Sequence, residues 1–242
     1  GLALAGGPDP LPLLLLARAG YPGRAEAATV DHRLRPESGA EAEAVAAVCG
    51  DLAVPHRILR PGWAEPPGAN LQAAAREARY AALGAWAAGR DIEWVATGHH
   101  LDDQAETLLM RLARGSGIAG LCGIRAASLL GKDGRPVWIV RPLLAWRRNG
   151  LADLVAKAGL SAADDPSNRD DRFDRTHARE LLKATPWLAP ERLAAAAGNL
   201  AEAESAGVVD DGLGPGARAE RLEIGVVRER QRPRGVGGRR LT

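Results

Sequence analysis

The chain of 242 residues has almost no cysteine: only Cys49 and Cys122, far apart and without CxxC spacing. That count excludes a disulfide framework and a cysteine-based zinc site. Each reads as a small apolar residue of a core in a reducing compartment. Long apolar runs are missing too. The longest, near Leu11–Ala17, falls well short of the roughly 20 residues that span a bilayer. It follows Asp9 with no basic segment before it, so neither a membrane span nor a signal peptide is expected, and a cytoplasmic protein is. There is no GxxxxGK[ST] phosphate loop, no GxGxxG fingerprint, no HExxH zinc motif and no internal repeat. Excess charge of either sign is also lacking, the formal net charge being +2. With 46% hydrophobic and 26% charged residues, the composition is that of a globular protein and excludes global disorder.

Lysine is nearly replaced by arginine: three Lys (Lys132, Lys157, Lys183) among 32 basic residues. The basic charge is also uneven. Eight Arg against three Glu give Arg218–Thr242 a balance of +5, leaving −3 on the first 217 residues. The sequence opens on Gly1 inside an apolar stretch, so a few residues are expected before it.

Short apolar runs alternate with helical periodicities. Strands are expected at Leu2–Ala5, Ala25–Asp31, Pro55–Leu59, Glu93–Gly98 and Val137–Val140. Helices are expected at Pro10–Arg18, Glu37–Leu52 with Ser38 as cap, Asn70–Ala88 with Asn70 as cap, Asp102–Arg114 and Arg147–Ala158. Two more follow, Asp174–Ala184 and Pro190–Ser205. Gly207–Gly216 reads as a linker, and the Arg- and Gly-rich remainder as poorly ordered. The β-α-β-α order implies an α/β fold with a doubly wound, mostly parallel sheet, followed by a short helical segment. Such sheets bind ligands beyond the carboxyl ends of their strands.

The chemistry-bearing residues fall at those ends. Ala5-Gly6-Gly7-Pro8-Asp9-Pro10 joins the first strand to the first helix, where paired glycines and free helix amides suit an anion. An ordinary turn reads equally well from that hexapeptide alone. Thr29-Val30-Asp31-His32 closes the second strand with an acid and an imidazole. His99-His100-Leu101-Asp102-Asp103-Gln104-Ala105-Glu106-Thr107 follows the fourth strand. A capping box of Asp103 with Glu106 would explain two of its acids but neither histidine nor Asp102. Hard oxygen ligands of this kind suit Mg²⁺ bound together with phosphates. Arg111-Leu112-Ala113-Arg114-Gly115-Ser116-Gly117 ends the acidic helix with two cations and a Gly-Ser-Gly turn.

Taken together these segments resemble the tRNA(Ile)-lysidine synthase family of PP-loop ATP pyrophosphatases, a Rossmann-like fold. The loop stands where the family has SGGxDS. Thr29–His32 with Leu34–Ser38 matches TVDHxLRPES, and Gly98–Gly117 is nearly the family pattern throughout. Arg141–Leu144, Asp165–Asn168, Phe173, Arg175 and Arg179 also match. The resemblance covers about residues 2–205. It implies an ATP-dependent carbon–nitrogen ligase. Such an enzyme adenylates C2 of the wobble cytidine of CAU-anticodon tRNA(Ile) with ATP and Mg²⁺; L-lysine then displaces AMP. It further implies that Ala5, Gly6, Gly7, Pro8, Asp9 and Pro10 bind the nucleotide. Asp31, Asp103, Glu106 and Arg111 become catalytic, and Asp9 and Asp103 hold metal. His32, His100, Arg114 and Arg175 contact substrate. The implied divisions are a catalytic domain at 1–185, the start of a helical linker domain at 186–206 and an atypical tail at 207–242. Thiolating relatives carry cysteine pairs, which this chain lacks.

Two family serines are replaced, by Ala5 and Pro10. A hydrogen bond to a charged group contributes about 1.5–3 kcal/mol, so losing two or three to pyrophosphate costs roughly 3–9 kcal/mol. A second expectation therefore stands beside the first: a PP-loop protein that binds tRNA or nucleotide without efficient catalysis. Proline at the first helical position is well tolerated by the fold.

Overall fold

The computed structural model describes residues 1–5, 11–61, 71–130, 136–160 and 174–208. The strands are β1 (Leu2–Leu4), β2 (Ala27–Val30), β3 (His56–Leu59), β4 (Trp94–Thr97), β5 (Ala127–Leu130) and β6 (Val137–Val140). The helices are α1 (Leu11–Gly20), α2 (Ser38–Asp51), α3 (Leu71–Ala88), α4 (Leu101–Ala113) and the single turn α5 (Ile118–Leu121). They continue with α6 (Arg148–Lys157), α7 (Asp174–Ala184) and α8 (Pro190–Val208).

The strands form one six-stranded sheet in the order β3-β2-β1-β4-β6-β5. All neighbours are parallel except the β5–β6 pair. Strand order reverses at β1, which lies between β2 and β4, so the crevice of a doubly wound sheet opens beyond the end of β1. Alternation along β1 sorts the two cores. Leu2 and Leu4 face one side and pack with Leu13, Leu14, Val45, Cys49, Leu143 and Leu151, from α1, α2, α6 and the β6–α6 connection. Ala3 faces the other side, with Ala28, Val95 and Ile139, beneath Leu83 and Trp86 of α3. Leu14 is fully buried, and burial of a leucine side chain stabilises by roughly 1.5–3 kcal/mol. Among the described residues no helix is long and apolar enough to cross a membrane.

Several expectations change in detail. β5 was not anticipated: its Ala-Ser-Leu-Leu run is short, lies on the sheet edge and buries little beyond Leu130. Val137–Val140 is consequently the sixth strand. Ser38 does not cap α2; Glu37 occupies the cap position without a side-chain bond. The Ser38 hydroxyl instead donates to Asp31 Oδ1 at 2.8 Å. Helix α8 continues to Val208, into the stretch expected to be a linker. Asn70 and the tail from 209 onward lie outside the described residues.

Candidate functional site

Each parallel strand delivers its following residues to one edge of the sheet. β1 leads to Ala5; the loop residues Gly6, Gly7, Pro8, Asp9 and Pro10 lie outside the described residues, as do Asp165–Asn168 and Phe173. β2 leads to Asp31 and His32. The Asp31 side chain is nearly inaccessible and accepts the Ser38 hydroxyl and, at 3.0 Å, the Arg33 amide. Arg60 Nε lies 3.7 Å from its other oxygen. Burial pushes the Asp31 carboxyl up, but Ser38, the Arg33 amide and the nearby guanidinium outweigh it and hold the group below its ordinary value. Arg33 has a φ of 53°, a left-handed turn that aims its amide back at Asp31. Asp31 and residues 33–36, 38 and 39 line an open cavity of about 510 Å³. His32 beside it is held below its ordinary value by burial and by Arg79, with Asp31 opposing.

β4 leads to His99 and His100. The His99 ring is 2.8 Å from the Thr97 hydroxyl. Burial pushes it down to about 4, against the attraction of Asp103, so it is a neutral imidazole at pH 7. His100 is the cap of α4, and a reciprocal box closes there: Nδ1 accepts the Asp103 amide at 3.3 Å, and Asp103 Oδ2 accepts the His100 amide at 3.0 Å. The expected box of Asp103 with Glu106 is therefore displaced by one turn. The reason is that β4 ends at Thr97 and the helix starts at Leu101, so His100 is the last extended residue.

That shift frees Glu106. It is buried one turn into α4 and gathers three arginines from other helices. Arg179 Nε is 2.8 Å from Oε1, Arg175 Nε 3.4 Å from Oε2, and Arg148 Nη2 3.6 Å from Oε1. Burial pushes the Glu106 carboxyl up, and Arg179 works against that. Three guanidiniums around one carboxylate leave an excess of positive charge at the crevice, which suits anionic groups.

The far end of α4 has a different task. Arg111 donates through Nη1 to the carbonyls of Gly120 and Gly123, at 2.5 and 2.8 Å. Gln104 clamps Ile124 from both sides, accepting its amide and donating to its carbonyl. Gly123 has a φ of +67°, and a Cβ there would sit 2.5 Å from Gln104 Oε1. Gly115, at φ +68°, ends α4: its amide bonds Leu112 O and the Ser116 amide bonds Arg111 O, the pattern of a left-handed helix stop. Arg114 pairs with Asp174 of α7 on the surface. At 1.5 Å per residue, Arg114 lies about 16 Å along the axis from Asp103. His100, Asp103, Glu106 and Arg175 thus converge, Asp31 and His32 lie at the neighbouring strand end, and Arg111 and Arg114 sit apart, each with a protein partner. Among the described residues no three His, Cys, Asp or Glu side chains form a metal cluster.

Two residues absent from the sequence expectations join the site. Arg148 of α6 reaches His100 and Glu106. Arg79 of α3 is desolvated, which lowers its guanidinium from the ordinary value, with Arg76 adding to the effect. Among the described residues no hydrogen bond or ion pair engages it, and its charge is felt by His32 and His99. A sequence signal existed: Arg79 shares the helical stripe of the buried Leu83 and Trp86 at i, i+4 and i+7.

Residues 1–185 match the PP-loop domain family. The chain belongs to the PP-loop family. This PP-loop chain is 46% identical over 207 residues to the tRNA(Ile)-lysidine synthase of Zymomonas mobilis, covering 85% of itself and 62% of that relative. It is 48% identical over 205 residues to that of Novosphingobium aromaticivorans, with the same coverage. It therefore spans about three-fifths of the length of these relatives. The PP-loop fold also aligns with the U34-tRNA thiolase NcsA from Methanococcus maripaludis, solved with its 4Fe-4S cluster. The TM-score there is 0.65 at 17% identity, over 83% of this chain and 71% of that one. At that identity the likeness is one of fold.

Proposed function

We propose that this PP-loop chain carries the catalytic part of an ATP-dependent ligase that joins L-lysine to C2 of the wobble cytidine of CAU-anticodon tRNA(Ile). The observation that carries the reading is the convergence of His100, Asp103 and Glu106 with Arg148, Arg175 and Arg179 at the crevice beside β4. The identity to the two synthases supports it.

In this reading the cytidine 2-oxygen attacks the α-phosphate of ATP, pyrophosphate leaves, and the base becomes an adenylated intermediate. An amine of L-lysine then forms the bond to C2 and AMP departs with the oxygen. The loop from Ala5 to Pro10 holds the nucleotide. Mg²⁺, when bound, neutralises phosphate charge; Asp103 with Asp9 would hold it, since one or two carboxylates plus phosphates satisfy this ion. Asp31, Asp103 and Glu106 divide the remaining work of receiving lysine's ammonium groups. Arg175 and Arg79 stabilise charge developing on phosphate. His99 stays neutral at working pH and adds no charge to the crevice. His32 and His100 shape the walls on which the cytidine and lysine rest, and Arg111 and Arg114 contribute through the elements they tie. Residues 1–185 form the catalytic domain, 186–206 begin a helical linker, and 207–242 are an atypical tail.

Ala5 and Pro10 favour a second reading, binding of tRNA or nucleotide without efficient turnover. Release of AMP and pyrophosphate from ATP, measured with and without each partner, separates the two. The ligase reading expects AMP only when both CAU-anticodon tRNA and L-lysine are present; AMP release independent of tRNA contradicts it.

A further inference from the structure

Asp102 is the acid in the His99–Thr107 run to which the proposed reaction gives no task. It occupies the second position of α4, yet its contacts lead to another helix. Oδ2 accepts the Arg148 amide at 2.7 Å. Oδ1 accepts Arg147 Nε at 3.1 Å, with Arg147 Nη2 at 3.0 Å. Arg147 occupies the cap position of α6 and supplies no side-chain cap bond of its own. The Asp102 carboxylate fills that place, meeting an exposed amide and the positive end of the helix.

What this clamp fixes is Arg148. From the first turn of α6 its side chain returns to α4, with Nε 3.3 Å from His100 Nε2 and Nη2 3.6 Å from Glu106 Oε1. Arg148 Nη2 is a buried donor that makes no hydrogen bond, its ion pair with Glu106 Oε1 being long, and Glu106 Oε2 accepts none, with Arg175 Nε as its ion-pair partner at 3.4 Å. A guanidinium with a hydrogen-bond donor to spare beside a carboxylate with an acceptor to spare complements a zwitterion, the substrate carboxylate going to Arg148.

We propose that Asp102 is a positioning residue that clamps α6 onto α4 and so presents Arg148 Nη2 to the carboxylate of the amino-acid substrate. This rests on the reading of the chain as a lysine ligase, and the tests below separate the two.

The direct probe is the Arg148 side-chain Nε–H resonance in the ¹⁵N-labelled protein, assigned with Arg148→Lys. L-lysine is expected to shift it, and cadaverine, which is lysine without its carboxylate, is not. In Asp102→Asn the lysine-induced shift is expected to vanish while the amide spectrum of the sheet stays in place. An equal response to cadaverine, no response to lysine, or an undiminished response in Asp102→Asn overturns the proposal. A lysine response in a protein that ligates nothing leaves the proposal standing and removes the ligase reading. In the active enzyme, Asp102→Asn and Arg148→Ala should each raise the KM for L-lysine by tenfold or more and leave the KM for ATP within about twofold. The double variant should be no worse than the weaker single one. Additive losses, or a KM change for ATP as large as for lysine, contradict the assignment.

Discussion

Arg179 of α7 meets Glu106 of α4 with 2.8 Å between Nε and Oε1, both side chains largely withdrawn from solvent. The contact spans 73 residues of sequence and ties the helix behind the acidic motif to one that follows the sheet. Removing one member of a buried pair strands the other, at a cost of roughly 3–5 kcal/mol. Glu106→Gln should therefore lower the unfolding free energy extrapolated from urea melts by that amount and abolish lysine incorporation. Unchanged stability would mean that the three arginines are solvated rather than held.

Arg79 calls for the opposite outcome. A half-buried cation with no counter-ion among the described residues contributes little to folding, and its removal is neutral or stabilising. Arg79→Ala should keep or raise the thermal midpoint while reducing kcat/KM for ATP on the order of 100-fold, the scale of one lost charge-stabilising donor. A clear drop in midpoint with normal kinetics would contradict its place at the crevice.

Two glycines that end or follow α4 should respond unequally to alanine. At Gly123 the strain of φ +67° combines with a Cβ 2.5 Å from Gln104 Oε1, and at Gly115 nothing lies within 4 Å. Gly115→Ala should cost about 1 kcal/mol, the price of left-handed backbone alone. Gly123→Ala should cost about 2–4 kcal/mol, because Gln104 must also release Ile124. Equal losses in denaturant melts would overturn the role of the Gln104 clamp.

His99 makes stability depend on pH in a defined window. Folded, it stays neutral down to about pH 4; unfolded, it takes a proton near 6.5. Between those values the unfolded chain binds more protons, so this contribution is complete above pH 6.5. It is lost as the pH falls toward 4, by up to about 3 kcal/mol. Urea melts at pH 7.5, 6 and 5 should show the decline in the native protein and a flatter response in His99→Gln. Identical slopes would place the titration elsewhere.

The alternation of strands and helices is legible because each apolar run is bounded by Gly, Pro or Asp and followed by helical periodicity; the helix Asp174–Ala184 has the bounds its pattern predicts. β5 was hidden because an edge strand needs only one well-buried side chain, here Leu130. The acidic motif announced a site, yet not which acid does what. The separate tasks of Asp102, Asp103 and Glu106 depend on Arg147, Arg148, Arg175 and Arg179, which arrive 41 to 77 positions later in sequence. Spacing carries no record of such meetings. Arg79 is the exception: a charge on the apolar stripe of a helix is visible in sequence once the stripe is drawn.

The decisive experiment on lysine ligation incubates the protein with ATP, Mg²⁺, labelled L-lysine and a CAU-anticodon tRNA(Ile) transcript, alongside the Ala5→Ser, Pro10→Ser double variant. Label is expected in the tRNA, none when uridine replaces the wobble cytidine, and at least a tenfold gain in kcat/KM for ATP when the serines are restored. Label in neither protein, with both folded and able to bind ATP, would contradict the ligase reading.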